Sequence, residues 1–579
     1  MNPIRPSRRH PGTSPARPTG RAGRVAALLV WVLAAGRPLH GASIVDSKHN
    51  LSATGPGPYR AVTESQICIF CHTPHAATSE APLWNRYSSG AVYTTYSSST
   101  TRASIGQPTG ASKLCLSCHD GTVALGMVRS RTSPIVMAGG ADRLDSAGGG
   151  LSTDLSDDHP VSFVYDAALQ AAHGELRSPA LLTGPVRLEN GEVQCTSCHD
   201  PHDNQYGDFL VMDNEGSALC TECHLPAGWS GAIHQSSTAS WNGSLPDPWP
   251  HTDRTTVAAN GCENCHQPHH APAHERLLTR ATEEEVCLVC HNGQVAASDL
   301  QAEFAKSSVH PVQLTTGVHD PAEDLVNPPR HVECVDCHNP HAAREQTAVA
   351  PDATGALAGV AGIDLAGSVT DPLQFEYELC FRCHGDSTQR GQALIPRQFV
   401  QTNTRQEFDP ANASYHPVAA QGVNPDVPSL IAPQWQTTSR IYCTDCHNND
   451  TGPGAGGPGP NGPHGSQYRP ILERRLELTD GQSENSSLYA LCYKCHSRAS
   501  ILANESFKEH RKHIQGEKAA CTTCHDPHGV QSSPHLINFN TQYVTPSKKN
   551  GRLEFVDRGR FRGECSLTCH GKDHDRKSY

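Results

Sequence analysis

The chain is short of the residues that build an ordinary protein core. Only 36% of its 579 positions are apolar and 6% aromatic, which is low for side-chain packing. Methionine occurs four times, the initiator included, so it cannot supply a repeated metal ligand. No long hydrophobic run exists. The longest apolar stretch near the N-terminus, positions 25–35 (VAALLVWVLAA), has eleven residues, and a membrane span needs about 20. Basic residues are also outnumbered, 46 against 58, for a net charge of −12. That balance excludes a nucleic-acid backbone as partner and favours basic ones. What the chain has in quantity is glycine (49), proline (43), histidine (35) and cysteine (24). Glycine and proline favour turns over long elements; cysteine and histidine must supply what the core lacks.

The first 42 residues hold seven arginines and no acid. A basic stretch followed by a short apolar run reads as a signal peptide over 1–42. The remainder then carries a charge of about −19, 39 basic against 58 acidic residues. The expectation is an exported protein without a transmembrane span, placed in the periplasm, at the outer-membrane surface or outside the cell.

The cysteines fall into one pattern. C-x-x-C-H is the attachment signature of c-type haem: two thiols form thioethers to the haem vinyl groups, and the adjacent imidazole reaches the iron. Eleven copies occur: Cys68-Cys71-His72, Cys115-Cys118-His119, Cys195-Cys198-His199, Cys220-Cys223-His224, Cys262-Cys265-His266, Cys287-Cys290-His291, Cys334-Cys337-His338, Cys380-Cys383-His384, Cys443-Cys446-His447, Cys492-Cys495-His496 and Cys521-Cys524-His525. A twelfth, Cys565-Ser566-Leu567-Thr568-Cys569-His570, has one residue more between its thiols. Together they use every cysteine. Redox dithiols, zinc sites or disulfides would not place a histidine after every second cysteine. The implied cofactor is twelve covalent haems c.

A longer repeat overlies the first. Odd-numbered sites mostly continue as C-x-x-C-H-x-P-H, even ones do not, and each pair is preceded by a lone histidine. The chain therefore reads as six two-haem units: 43–150, 151–230, 231–305, 306–400, 401–505 and 506–579. The lone histidines are His49, His159, His234, His310, His416 and His513. The x-P-H histidines are His75, His202, His269, His341, His464 and His528; the fifth unit replaces the close motif by GPHG after a Gly/Pro-rich insertion. Two spare histidines per unit match two irons. The upstream histidine is expected to cap the first haem of its own unit and the x-P-H histidine a neighbouring one. His251, His510 and His574 compete for these roles with His234, His513 and His528. His173, His270, His274, His319, His331 and His535 are expected to be surplus.

Bis-histidine capping leaves no open iron site and gives a lower potential than a His/Met pair. Both features predict electron transfer and no catalytic residue. An enzyme such as a multihaem reductase would need one uncapped iron, often with an altered motif such as C-x-x-C-K, and none is present. With so few apolar side chains the porphyrins must serve as core, so the expected fold is haem-cored coil with short helices and little sheet.

These repeats resemble the doubled C-x-x-C-H cytochromes of metal-respiring and other anaerobic bacteria. SKHNLS, CIFCHTPH, PLWNR, KLCLSCHDGTVALG, CTTCHDPHG and CHGKDH are similar in wording to that family. The resemblance implies a row of stacked and T-shaped haem pairs and electron transfer to metal oxides or a partner cytochrome. It also implies partnership with other redox proteins, with an outer-membrane porin, or with further copies in a filament.

Overall fold

The computed structural model describes residues 43–78, 81–314, 317–388, 390–391 and 393–579. The expected signal peptide lies outside them. Most of this chain is turn and coil, with helices of one to three turns and very short strands. The expected fold class is thereby met. No helix among the described residues is long and apolar enough to cross a membrane.

The attachment sites carry much of the helix. The second site ends helix α1 (Gly110–His119) and the eighth ends α2 (Glu376–His384). Others form a single turn, as at Cys195–Cys198, Cys334–Cys337 and Cys521–Cys524. The motif itself explains the turn. The residue before the second cysteine is Ser197, Asp336 or Asp445, and its side chain accepts the backbone N–H at the start of the turn, from Gln194, Glu333 and Tyr442 at 3.0, 2.7 and 2.9 Å. This caps a turn too short to hold itself. The turn places both thiols on one side, and the chain leaves it extended at the histidine, with φ of −122° at His199 and −133° at His338.

Two-residue strands tie distant segments together. Ser308–Val309 pairs antiparallel with Gly465–Ser466, and Ser414–Tyr415 with Gly529–Val530. These pairings flank His310 and His464, and His416 and His528, so their register fixes where those histidines stand. The one larger sheet is C-terminal, with β1 (Val544–Thr545), β2 (Glu554–Asp557), β3 (Gly563–Cys569) and β4 (Lys572–Ser578). β3 lies between β1 and β2 on one edge relationship and pairs with β4 as a hairpin.

Buried apolar residues form small separate clusters. The largest joins Ile363, Tyr377, Phe381, Phe408, Tyr415, Val418 and Ala419. Another gathers Ala61, Ile69, Phe70, Leu125 and Met137 around Cys71 and Cys118. Cysteines of the attachment sites border several of these clusters. Side chains thus pack in patches around the attachment sites.

Candidate haem sites

No cysteine is paired in a disulfide. The thiols of successive sites meet in chain order. Cys115 lies beside Cys195, Cys220 beside Cys262, Cys287 beside Cys334, Cys380 beside Cys443 and Cys492 beside Cys521. These contacts join each even site to the odd site that follows. Within a pair the second cysteines are neighbours: Cys71 with Cys118, Cys198 with Cys223, Cys265 with Cys290, Cys337 with Cys383, Cys446 with Cys495, and Cys524 with Cys565 and Cys569. The twelve cysteine pairs therefore make one unbroken row.

The histidines stand in pairs at one distance. Ring centres are separated by 6.1 Å for His72 and His202, 6.2 Å for His119 and His49, 6.2 Å for His199 and His269, and 6.2 Å for His224 and His159. The separation is 6.2 Å for His266 and His341, 6.3 Å for His291 and His234, 6.1 Å for His338 and His464, and 6.4 Å for His384 and His310. It is 6.1 Å for His447 and His528, 6.4 Å for His496 and His416, and 6.5 Å for His525 and His510. An imidazole centre lies about 1.1 Å from Nε2 and a metal–nitrogen bond spans about 2 Å, so two rings on one iron stand about 6.3 Å apart. Eleven C-x-x-C-H histidines meet a partner at that spacing. The residues fit haem iron.

Comparison with known proteins agrees. The family model described as the doubled CXXCH motif matches residues 187–227 and 255–296. The multiheme cytochrome MtrA of Shewanella baltica (strain OS185) is 31% identical over 153 residues, 26% of this chain and 36% of its own length. The cytochrome c-type protein NapC of Paracoccus pantotrophus is 28% identical over 141 residues, 19% of this chain and 59% of its own. The chain is a multihaem c-type cytochrome. It spans between about a third and three fifths of the length of these two relatives.

The pairing within the cytochrome departs from the sequence reading. The upstream histidine of a unit faces the second site, not the first. Its anchor is the reason. His49 donates its Nδ1–H to the Pro201 carbonyl at 3.1 Å, His234 to Pro340 at 3.0 Å and His310 to Pro463 at 2.9 Å; His416 donates likewise to Pro527. In the second unit the backbone N–H of His159 reaches Pro268 at 2.8 Å. Each proline belongs to the x-P-H of the following unit. The x-P-H histidine in turn faces the first site of the unit before its own. His75 is exposed, and among the described residues no C-H histidine stands opposite it.

In the sixth unit the partners come from the unit itself. His510 stands opposite His525, and His513 faces His574 at 6.4 Å. Of the three rival histidines, His510 and His574 are thus the ones that stand opposite another ring, His525 and His513. His173 also stands near His224, its ring 6.4 Å away, beside the His159 ring at 6.2 Å. His570 faces no histidine: its Nε2 is 2.7 Å from Asp480 Oδ2 and its ring lies parallel to Tyr543. His251 turns its Nε2 to the Glu263 carbonyl at 2.9 Å. His319 and His331 lie among Glu323, Glu333 and Asp336.

The C-H histidines are held by carbonyls the sequence did not advertise. Nδ1 of His199 is 2.8 Å from the Asp208 carbonyl, His266 2.8 Å from Arg276, and His525 3.0 Å from His535. Asp208, Arg276 and His535 all have positive φ, 43°, 58° and 58°. Such backbone is costly for non-glycine residues and recurs here because it aims a carbonyl at a ligand. A carbonyl on Nδ1 fixes the tautomer and leaves Nε2 for the iron. Burial supports the same state: it pushes His224 down to about 3, and His291, His384, His496 and His525 to about 4. His269 and His528 have carboxylates as Nδ1 acceptors, Asp158 at 3.0 Å and Glu407 at 2.9 Å. Burial lowers His528, but Glu407 outweighs it and the imidazole is raised.

Proposed function

We propose that this cytochrome binds twelve haems c in six two-haem units and conducts electrons along them as an exported carrier of the periplasm or cell surface. Bound haem iron supplies the one-electron chemistry. The chain supplies thioether positions, two imidazoles per iron and the order of the sites. The observation that carries the reading is the set of eleven histidine pairs at one spacing, strung on a row of neighbouring cysteine pairs. Close succession of sites suits hopping from one end to the other, and neutral imidazoles on both faces close the iron to substrates.

The acidic surface favours a redox partner with a basic docking patch. Another cytochrome, an outer-membrane porin or further copies in a filament are the settings consistent with the resemblance, with metal oxides as one terminal acceptor. The enzyme reading needs an iron with a free face. Among the described residues, the twelfth site, where no histidine ring stands opposite His570, is the place for it.

Intact mass and pyridine haemochrome measure the count; twelve haems are expected, and eleven would remove Cys565 and Cys569 from the scheme. Electron paramagnetic resonance of the oxidised protein should show low-spin haem only. A high-spin signal, or carbon monoxide binding to the reduced protein, would replace the pure conduit by the reductase reading.

A further inference from the structure

We propose that the twelfth haem is held by His513 and His574 and not by His570, so that its motif reads Cys565-x3-Cys569-x4-His574. The inference rests on the haem reading of that site.

The widened motif changes the local backbone. Elsewhere the attachment residues form a helical turn, which brings thiols three apart to one side. Cys565 and Cys569 instead lie on strand β3. Strand residues two and four apart share a face, and the residue after Cys569 falls on the other side. Cys565, Leu567 and Cys569 accordingly pack into one apolar cluster that also borders Cys524 of the eleventh site. The pairing has an irregularity between Cys565 and Leu567, yet both remain in that cluster.

His570 is spent on the hairpin. β3 and β4 close through Cys569 and Lys572, leaving His570 and Gly571 as the two turn residues, with φ of 49° and 76°. Two positive angles define a type I′ turn, where Asn or Asp followed by Gly is usual. The C-H histidines of helical-turn sites are extended at this position. The ring is also committed the wrong way round. Its Nε2, the iron-binding atom at the other sites, is the one on Asp480. The Asp480 side chain is 3% exposed, and it also accepts from the Ala520 backbone at 2.8 Å and from the Thr523 hydroxyl. Freeing His570 for iron would strand a buried carboxylate.

His574 meets the requirements that His570 fails. It is the direct cross-strand partner of Leu567, so it shares the face of the two thiols. Its ring centre is 6.4 Å from that of His513, within the range of the other eleven pairs. His513 donates its Nδ1–H to the Glu509 carbonyl at 2.8 Å, the orientation that leaves Nε2 for iron. The pair also completes the upstream-histidine rule: His513, like His49 or His416, serves the second site of its unit.

The test uses the full holoprotein with three variants, read by intact mass, by spin state and by carbon monoxide binding after reduction. His574→Ala should keep twelve haems and convert one to a high-spin form that binds carbon monoxide. His574→Met should remain low-spin and raise the potential of one haem, as Met ligation does; a merely structural residue would not do this. His570→Asn, which suits the turn, should keep twelve low-spin haems without carbon monoxide binding. A His574→Ala protein whose twelve haems all stay low-spin overturns the assignment. So does a His570→Asn protein that binds carbon monoxide or loses a haem. A wild-type mass of eleven haems removes the site itself, and with it the proposed pair.

Discussion

His49 donates its Nδ1–H to the carbonyl of Pro201, 3.1 Å away and 152 residues on in the chain. The residue after Pro201 is His202, whose ring faces His72, while the ring of His49 faces His119. One hydrogen bond thus ties the second ligand of the first site to that of the second. The same tie recurs through Pro340, Pro463 and Pro527.

Removing either ligand should open one iron and no more. His49→Ala and His202→Ala are each expected to yield one high-spin, carbon-monoxide-binding haem with the total count unchanged. His75→Ala should leave spin state and carbon monoxide binding as in the wild type, since His75 faces no C-H histidine. Low-temperature electron paramagnetic resonance separates the three; a high-spin signal from His75→Ala would mean that the pairing is offset from the one described.

The third and ninth sites should have the lowest potentials attributable to an axial ligand. Asp158 and Glu407 accept the Nδ1–H of His269 and His528, and a carboxylate there makes the imidazole a stronger donor. Asp158→Asn and Glu407→Gln should each raise one midpoint potential by on the order of 50 mV, the size of a nearby unit charge at an intermediate dielectric. Spin state should not change. Spectroelectrochemical titration would show a shift of one component, and an unshifted titration would assign the carboxylates to folding alone.

Glu376 predicts a pH dependence of stability. Burial pushes its carboxyl up to about 7 from an ordinary value of 4.5, with Asp445 adding to the rise and hydrogen bonds from Thr444 opposing it. Between those two values the folded protein keeps a proton that the unfolded chain releases. Stability therefore falls as pH rises from about 4.5 to 7 and levels off above, by about 3 kcal/mol for this group. Glu376→Gln should flatten that part of the curve in guanidinium unfolding of the holoprotein at pH 5, 6 and 7.5.

Arg86 is fully buried and has no carboxylate partner among its contacts. Its guanidinium donates to the carbonyls of Leu125 and Ser117 at 2.8 and 3.0 Å and to those of Ala124 and Val123. It thereby fastens the end of α1 and the loop after the second site. Arg86→Ala should cost about 3–5 kcal/mol, since it leaves buried carbonyls unpaired and a cavity behind. Arg86→Lys should recover little, because an ammonium cannot span four carbonyls. Thermal unfolding of both variants checks this.

The attachment residues were legible in the sequence because their chemistry is local: thiol, thiol and imidazole lie within five residues and need no fold to be recognised. The coil-rich class followed from the shortage of apolar residues. The supply of spare histidines was legible as a count, but not their targets. Whether His49 turns to His72 or His119 depends on a proline carbonyl 152 residues away, and spacing carries no information about such a contact. His510 and His574 were obscured for a related reason: their partners, His525 and His513, are reached through local packing that the repeat does not encode. The carbonyls of Asp208, Arg276 and His535 act through backbone angles that any residue type can be forced to adopt. The chain alone determined which thiols and imidazoles recur together; tertiary packing decided which two imidazoles face each other, because that choice is made between segments distant in the chain.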